Sequence, residues 1–395
     1  MELKALAARL GIPEYPQALE EIYRTLPADD GLLCNHAFIT EMQEKYDAVG
    51  EFLDDVLRGA DALRADADRY LWARLMCQVI KGSRNRVEAL RIPLPPNNET
   101  LAADMLPILI LVYFVPAQVE RYRARGMSDE QIRKNVNNIR VNIWVASVTQ
   151  GRPMLTPGLF GWLHLYMYGL IFDHASFNFQ PDIWSSSVVL RNKKTGEYVH
   201  AMPGGIQCHR SGYILGSAGC EDEEDSFTTS YIEQVDFIEA NLSTEGLAQR
   251  ERTMLYKDEW EVVLRPGDDV ISLHIPRNTD ITPEVVTQSL REGMELCRKY
   301  YPELSFRYII CISWLVDPQL VEILGENAKM AQFSKRFVKC PYKCAGNGCL
   351  GYVFPGFKGD VADYPENTSL QRGIKALMLG GGFIHNVTGV IPELF

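Results

Sequence analysis

The chain has 395 residues, which is more than one hydrophobic core usually holds, so its length predicts two or three folding units. Hydrophobic residues form 46% and charged residues 23% of the sequence, a balance that excludes the collagen-like and disordered classes. Forty Lys and Arg against 51 Asp and Glu give a formal net charge of −11, which opposes nucleic-acid binding. These values indicate a soluble enzyme or binding protein with small-molecule partners.

The start of the chain and its cysteines indicate the compartment. Glu2 follows Met1 without a basic region and an apolar signal segment, so we expect no secretory signal. Nine cysteines, an odd number, favour reduced thiols over a disulfide framework. The most apolar run, residues 105–115, is shorter than the ~20 residues that a membrane-spanning helix needs. We therefore predict a cytoplasmic protein without a membrane partner, in which this run is a buried helix.

The first 150 residues have a helical pattern, because apolar residues return at steps of three and four. The stripe in residues 53–75 predicts one long amphipathic helix, with Gly59 as a candidate break. Thr100 follows a proline-rich stop and is placed to cap the next helix, and a capping box at Ser128 predicts a helix to about Thr149. Residues 1–150 are therefore predicted to be an all-helical domain.

The pattern changes after residue 151. Residues 185–190 and 198–202 predict a β-hairpin around a polar turn that contains Gly196. Strands are then predicted at residues 260–264, 269–275, 306–315 and 350–354, and helices at 283–301 and 319–337. This alternation predicts an α+β or α/β domain over residues 151–395, with at least one parallel crossover.

Several motifs in the chain resemble one family. They are His274-Ile275-Pro276, Thr282-Pro283-Glu284 at a helix start, the Ser-Trp-Leu-Val-Asp-Pro-Gln-Leu run of residues 313–320, and residues 158–163, 333–337 and 368–372. Through these motifs most of the chain resembles the bacterial family of N-acyltransferase-like proteins.

The resemblance implies an all-helical N-terminal domain followed by a GNAT-like (N-acetyltransferase-like) mixed β-sheet flanked by helices. It also implies an acyltransferase that moves an acyl group from acyl-CoA, as a co-substrate, to an amine or a similar small nucleophile. A fold alone does not determine a reaction, so the residues of this chain must be compared with the groups that acyl transfer requires. The alternative is a binding protein without catalysis, on a degenerate GNAT-like fold. The sequence leaves the oligomeric state open.

The turn between residues 276 and 282 is the expected acyl-CoA site. In the acetyltransferase fold that the resemblance implies, this strand-to-helix turn directs backbone N–H groups at the pyrophosphate of coenzyme A, as helix N-termini do. The predicted cofactor-binding residues are Ile275, Pro276, Arg277, Asn278 and Thr282, with Thr282 as the helix cap. The loop contains no glycine, and Asp280 would repel a phosphate. A plain strand-to-helix loop is therefore the other interpretation.

His274 and Ser313 are the predicted catalytic residues. His274 lies near the carboxyl end of a predicted strand, where an imidazole is suited to act as a general base. Ser313 ends the adjacent strand and is a candidate to protonate the leaving thiolate. For both, a structural role in the core is the competing interpretation. Asp317 is predicted to cap the following helix, and that helix contains no tyrosine that would serve as the leaving-group acid.

A cysteine cluster is the candidate metal site. Cys340, Cys344 and Cys349 lie close in sequence, and Cys208, His209 and Cys220 are the candidates for a fourth ligand. The spacing matches neither the paired zinc ribbon nor the common iron–sulfur motifs. We therefore expect free thiols and no resident metal.

Overall fold

The chain forms two compact units, Met1–Phe172 and Asp173–Phe395. The computed structural model describes residues 2–392 except Ala345, Asn347 and Lys358. The helices of the first unit are α1 (Leu3–Arg9), α2 (Leu19–Arg24), α3 (His36–Tyr46), α4 (Leu53–Ala65), α5 (Ala67–Gly82), α6 (Arg86–Ala89), α7 (Leu101–Tyr113), α8 (Val115–Ala124), α9 (Asp129–Val136), α10 (Asn138–Gln150) and α11 (Pro157–Met167). The predicted boundary at residue 150 marks the end of α10, and the division between the units follows one helix later.

Two helices predicted as continuous are each interrupted by a polar residue. The stripe of residues 53–75 divides at Asp66, whose carboxylate accepts the Arg69 N–H at 3.1 Å and starts α5. The predicted break at Gly59 is wrong, because Gly59 lies inside α4, where a Cβ would come within 2.2 Å of the Met105 side chain. The second helix divides at Asn137, whose amide donates to the Asp47 carboxylate at 2.8 Å. In the first case a local side-chain hydrogen bond, and in the second a side-chain hydrogen bond to a residue 90 positions away, outweighs the apolar period.

Helix α7 carries the apolar run and is the buried core of the first unit. Thr100 caps it by accepting the Ala103 N–H at 3.3 Å, as predicted. Ile108 and Leu109 are fully buried. By length and composition Leu101–Ala124 is apolar enough to cross a membrane, but 78% of its most apolar window is buried within the protein. This burial is what a core helix requires.

The second unit is built, within the described residues, on two six-stranded sheets and one two-stranded sheet. Its strands are β1 (Phe172–His174), β2 (Phe177–Ile183), β3 (Val188–Asn192), β4 (Tyr198–Ala201), β5 (Gln207–Cys208), β6 (Phe227–Thr228), β7 (Tyr231–Glu233), β8 (Phe237–Thr244), β9 (Leu247–Tyr256), β10 (Trp260–Leu264), β11 (Asp269–His274), β12 (Ile309–Ser313), β13 (Val338–Pro341) and β14 (Val387–Ile391). Its helices are α12 (Pro283–Tyr300), α13 (Gln319–Leu324), α14 (Lys329–Ser334), α15 (Leu350–Val353) and α16 (Ser369–Leu379).

Sheet A has the strand order β1-β2-β11-β12-β14-β13, and sheet B has the order β10-β3-β4-β8-β7 with β9 on β8. The predicted hairpin is confirmed as β3 and β4, and the predicted crossover is confirmed as β11, α12 and β12. The second unit is thus the predicted mixed sheet flanked by helices. The predicted strand at 350–354 is wrong, because Leu350–Val353 forms α15. A short apolar run does not distinguish strand from helix by period. The helix predicted over residues 319–337 is two helices, because α13 ends at Gly325, which has φ +81°.

The two faces of sheet A are packed differently. One face packs against strands and loops of sheet B through a buried cluster that consists of Trp184, Val189, Leu264, Val270, Ile310 and Val390. The other face carries α12. Gly293 of α12 allows this approach, because a Cβ there would lie 2.0 Å from the Phe179 ring. Val270 and Ile310 lie on the face toward sheet B. Because side chains alternate along a strand, the even-numbered residues of β11 and β12 point to this face and the odd-numbered residues point to the opposite one.

His200 joins sheet B to β13 inside the core. Its Nδ1 lies 2.7 Å from the Ser187 hydroxyl, and its Nε2 lies 3.0 Å from the Val338 carbonyl. The side chain is fully buried, and burial lowers its pKa from 6.5 to about 4. His200 is therefore neutral in the folded chain at pH 7.

Lowering the pH is expected to destabilise the protein through His200. Between pH 6.5 and pH 4 the unfolded chain binds a proton at this residue and the folded chain does not. The stabilisation is therefore complete above pH 6.5 and is lost as the pH falls toward 4. At pH 5 the expected loss is about 2 kcal/mol, from 1.36 kcal/mol per pKa unit.

Thermal unfolding at pH 7 and pH 5 measures this loss. His200→Gln is expected to reduce the fall in Tm between the two pH values, and the remaining fall belongs in part to His164 and His274, whose pKa values burial also lowers to about 4. His36→Gln is the matched control, because the His36 side chain is 48% exposed. An unchanged pH dependence in His200→Gln would contradict this account.

Candidate active site between β11 and β12

Sheet A opens between β11 and β12 at their carboxyl ends. The two strands pair in parallel at two residue pairs, of which Ser272 with Ile310 is the last. On its other side β11 stays paired with β2 as far as His274, and β12 stays paired with β14 as far as Ser313. The last residues of the two strands therefore lack a strand partner across the opening, which we call the β11–β12 gap.

Backbone groups of Leu273 and Ile312 point into this gap. The Ile271 N–H donates to the Tyr308 carbonyl at 3.1 Å, so Ile271 directs its backbone groups toward β12. Direction alternates along a strand, and Leu273, two residues further, has the same direction. By the same alternation Ile312 follows Ile310 and faces β11. The side chain of Ile312 is 45% exposed, which is unusual for a residue of this buried strand.

His274 lies at the end of β11 and on the face of the sheet that carries Ile312. Its Nε2 lies 2.9 Å from the Gln180 side-chain oxygen, which can only accept, so Nε2 carries the hydrogen and Nδ1 the lone pair. Burial lowers the pKa of His274 to about 4, which keeps the ring neutral at pH 7. Gln180 was not predicted as a site residue, because β2 was not predicted as a strand.

The structure does not bring Ser313 together with His274. Both residues end strands that border the gap, but Ser313 is an odd-numbered residue of β12 and points to the face opposite Ile310. Its hydroxyl oxygen accepts the Leu315 N–H at 3.1 Å, which caps the 3₁₀ turn Trp314–Val316. The two predicted catalytic side chains therefore serve different sides of the sheet.

The loop between β11 and α12 holds the predicted cofactor residues. Ile275 and Pro276 lead out of β11, and Asn278 has a positive φ of 62°. Thr282 is at the N-cap position of α12 but makes no side-chain cap hydrogen bond, so that part of the prediction is wrong. The Asp280 carboxylate instead accepts the Thr282 N–H at 3.0 Å.

Asp280 brings a negative charge to the start of α12. Its hydrogen bond from the Thr282 N–H is the main cause that lowers its pKa, and Lys329 lies 3.7 Å from its carboxylate. The first turn of a helix leaves N–H groups without helical partners, here those of Glu284 and Val285. The Asp280 carboxylate opposes the approach of an anion to these two donors.

Arg277 and Tyr352 connect the two sides of the gap. Arg277 donates to the Gly351 carbonyl at 2.8 Å, and its guanidinium lies 5.8 Å from the centre of the Tyr352 ring. Tyr352 also lies 6.2 Å from the ring of Trp314, which directly follows β12. Helix α15 therefore contacts both the loop after β11 and the turn after β12. Arg277 thus lies at the carboxyl end of the gap, and its role as a cofactor-binding residue stays a prediction.

A buried polar cluster lies beyond β12. Asp317 caps α13 as predicted, because its carboxylate accepts the Gln319 N–H at 2.9 Å, and it also accepts the His385 N–H at 2.6 Å. The Gln319 amide donates to the Tyr213 hydroxyl at 3.3 Å, and the Tyr213 and His385 rings stack at 4.0 Å. We call Tyr213, Asp317, Gln319 and His385 the Tyr213 cluster. No sequence pattern predicts that Tyr213 and His385 meet, because they come from distant segments of the chain.

The cysteines are not arranged as a metal site in the part of the chain that the structure describes. Cys340 contacts the Met202 sulfur at 3.5 Å, whereas the Cys344 thiol donates to the Gly346 carbonyl at 2.9 Å. The two ring nitrogens of His209 form hydrogen bonds with Ser211 and Asp222, so they are not directed at a cysteine. No group of three or more His, Cys, Asp or Glu side chains within the described residues is arranged to hold a metal ion. Cys349 is buried, and all nine cysteines, each of them described, are free thiols.

Comparison with known families gives two matches. The model of the N-acyltransferase N-terminal domain matches residues 38–169, and the model of the GNAT-like C-terminal domain matches residues 179–391. Together they cover both units of the chain. A sequence search of curated proteins finds no match.

Solved acyltransferase structures share the fold along the whole chain. An acyltransferase in complex with decanoyl-CoA and teicoplanin has a TM-score of 0.68 and 16% identity, and 99% of each chain is covered. An acyltransferase in complex with decanoyl-CoA has a TM-score of 0.65 and 15% identity, again with 99% of each chain covered. A mutant acyltransferase in complex with octanoyl-CoA has a TM-score of 0.66, 15% identity and the same coverage. At these identities the likeness shows a common fold.

Proposed function

The chain belongs to the family with the GNAT-like C-terminal domain, and we propose that it transfers an acyl group from acyl-CoA to an amine or similar nucleophile of a small molecule. The β11–β12 gap carries the proposal. Each strand at the gap is held by an outer neighbour, so the gap exists without a ligand to open it. A preformed opening in a sheet is a site for an extended ligand that adds like a strand.

The acyl-CoA arm has the chemistry that this gap requires. The pantetheine part of coenzyme A is an extended chain with two amides, which can exchange hydrogen bonds with the backbone of Leu273 and Ile312. The exposed Ile312 side chain offers apolar contact for the methylenes of the arm or the acyl chain. The solved structures with the same fold contain decanoyl-CoA or octanoyl-CoA, which supports a medium-length acyl donor.

His274 is the proposed base. An amine that attacks the thioester carbonyl acquires a positive charge, and its N–H becomes far more acidic as the new C–N bond forms. A neutral imidazole whose pKa burial holds at about 4 removes that proton from the adduct and not from the resting ammonium. The Gln180 side chain, 2.9 Å from Nε2, orients the ring for this role.

The phosphates of coenzyme A are proposed to meet the start of α12. Arg277 and the N–H groups of Glu284 and Val285 supply positive charge and donors there. The Asp280 carboxylate opposes them, and it favours the alternative of a binding protein with a ligand other than acyl-CoA. The free thiols support a reducing, cytoplasmic location.

Filling the gap tests the donor site. Ile312→Trp places an indole at the mouth of the gap, and because Ile312 is 45% exposed the fold should accept it. We expect decanoyl-CoA to bind the wild-type protein and to bind Ile312→Trp at least about tenfold more weakly, a loss of about 1.4 kcal/mol. Isothermal titration calorimetry with decanoyl-CoA measures both values.

Ile183→Trp is the matched control. Ile183 is 60% exposed and pairs with Asp269 at the opposite end of β11, so its replacement should leave the affinity unchanged. Absence of decanoyl-CoA binding to the wild-type protein would reject the acyl-CoA proposal and favour the alternative. Equal affinities of the two variants would show that acyl-CoA binds elsewhere.

Replacing the base tests the reaction. His274→Gln retains a polar side chain but has no titratable nitrogen, so we expect kcat to fall by about 10²–10⁴ with little change in the Kd of decanoyl-CoA. Release of free coenzyme A thiol with a panel of amine acceptors, including an amine-bearing glycopeptide such as teicoplanin, measures the rate. An unchanged kcat would remove His274 from the mechanism while leaving the donor site in place.

A further inference from the structure

Three side chains that follow β5 form a hydrogen-bonded series that the proposed function does not use. The Ser211 hydroxyl lies 2.7 Å from Nδ1 of His209, and Nε2 of His209 lies 3.3 Å from the Asp222 carboxylate. A hydroxyl, an imidazole and a carboxylate in this order are the groups that activate a serine as a nucleophile. We call Ser211, His209 and Asp222 the Ser211 triad.

The hydrogen bonds of His209 place its proton on the nitrogen that faces Asp222. The Ser211 backbone N–H donates to Nδ1 at 3.3 Å, so Nδ1 carries a lone pair and not a hydrogen. The hydrogen of the neutral ring is therefore on Nε2, where the Asp222 carboxylate accepts it. Nδ1 is then able to accept the hydroxyl proton of Ser211, as a general base must.

A tight turn holds the Ser211 triad in place. The Gly212 N–H donates to the His209 carbonyl at 2.8 Å, and the His209 N–H donates to the Tyr213 carbonyl at 2.8 Å. Gly212 has φ +90°, and a Cβ there would lie 2.7 Å from the Ala248 carbonyl oxygen, so this position requires glycine. Ser211 therefore stands at the tip of a turn that packs against β9.

Arg210 holds the carboxylate of the triad from its other side. Its guanidinium lies 3.3 Å from Oδ1 of Asp222, whereas His209 contacts Oδ2. Arg210 also lies 3.2 Å from the Glu224 carboxylate. The Asp222 side chain is 52% exposed, and these contacts on both oxygens restrict its rotation. Asp222 is therefore a positioning residue for the imidazole.

Ser211 is accessible from solvent, whereas similar groups in the core are not. Ser211 is exposed on the turn, and His209 behind it is only 6% exposed. The Ser187 hydroxyl also lies 2.7 Å from Nδ1 of His200, but both residues are fully buried, and Nε2 of His200 faces a carbonyl. Cys220 lies 3.7 Å from the Ser211 hydroxyl, but it is 4% exposed, and burial raises the pKa of its thiol. Ser211 is thus the nucleophile that a dissolved substrate can reach.

We propose that the Ser211 triad is a separate catalytic site that hydrolyses activated carboxylic esters, an inference that does not rest on the proposed function. Nδ1 of His209 takes the hydroxyl proton as the Ser211 oxygen bonds to the ester carbonyl carbon. When the adduct collapses, the bond from that carbon to the alkoxy oxygen breaks, and the leaving alcohol takes the proton from His209. Water then attacks the O-acylserine, with His209 again as the base, and the carboxylic acid leaves. Overall, ester and water give acid and alcohol.

Covalent labelling tests whether Ser211 is activated. A fluorophosphonate ester reacts with activated serines by losing fluoride, and we expect it to phosphonylate the full-length protein at Ser211. Peptide mass spectrometry identifies the labelled residue, and Ser187 of the buried pair is expected to stay unlabelled. Ser211→Ala should abolish the label, and the fold should accept this change because Ser211 is exposed. Absence of label at Ser211, or label on Cys220 instead, would overturn the inference.

Ester hydrolysis tests the roles within the triad. With para-nitrophenyl acetate, Ser211→Ala is expected to lower kcat by about 10²-fold or more. Asp222→Asn should lower kcat at least about tenfold with little change in KM, because an amide does not stabilise the imidazolium that forms. Glu224→Gln is the matched control, because Glu224 contacts Arg210 in the same acidic run of residues 221–225. We expect it to change kcat by less than about twofold.

The outcomes separate catalysis from a purely structural turn. Equal kcat values for the wild-type protein and Ser211→Ala would place any hydrolysis at another residue and overturn the inference. Equal losses in Asp222→Asn and Glu224→Gln would assign the effect to the charge of the acidic run and overturn the role of Asp222. If Ser211→Ala fails to fold, the label on the wild-type protein still decides. Binding of decanoyl-CoA to the wild-type protein reports on the proposed function separately.

Discussion

The opening in sheet A depends on the hydrogen bonds that hold its two central strands from outside. A pair of parallel strands separates at one end only if each strand keeps another partner, because unpaired backbone groups in a sheet interior oppose folding. Here β2 holds β11 as far as His274, and β14 holds β12 as far as Ser313. The gap is therefore a property of the folded chain, and the ends of both strands are paired on their outer sides. The residues that border the gap, His274 and Ile312, share one face because each lies two residues after a member of the parallel pair Ser272 and Ile310.

The net charge of the chain limits how the donor site can bind an anionic ligand. A net charge of −11 repels an anionic donor at long range, so binding must rely on local groups. Arg277, held by the Gly351 carbonyl at 2.8 Å, is the positive side chain that the loop after β11 places at the gap. Asp280 occupies the loop where a phosphate would otherwise find the Thr282 N–H. Lys329 lies 3.7 Å from the Asp280 carboxylate and Arg336 donates to the Pro283 carbonyl at 2.8 Å, so these two cations also contribute to the charge at the first turn of α12.

The sequence predicts the elements that local patterns determine, and it misses those that distant contacts determine. The apolar period predicts the helical first unit, and strand alternation predicts β11 and the position of His274 at its end. Asp66 and Asn137 interrupt predicted helices, because side-chain hydrogen bonds at single residues override a period averaged over several turns. Tyr213 reaches Gln319 across 106 positions of the chain, and no spacing rule predicts such a contact. Ser313 was placed correctly at a strand end and opposite Ile310, but whether it shares a face with His274 depends on the register of β12 against β11, which only the sheet reveals.

The structure of the protein bound to a thioether analogue of decanoyl-CoA tests the central claim most directly. The account predicts that the pantetheine arm lies between β11 and β12, with its amides paired to the backbone of Leu273 and Ile312. A coenzyme A arm bound outside the β11–β12 gap, with Leu273 and Ile312 left without contact to it, would contradict the account.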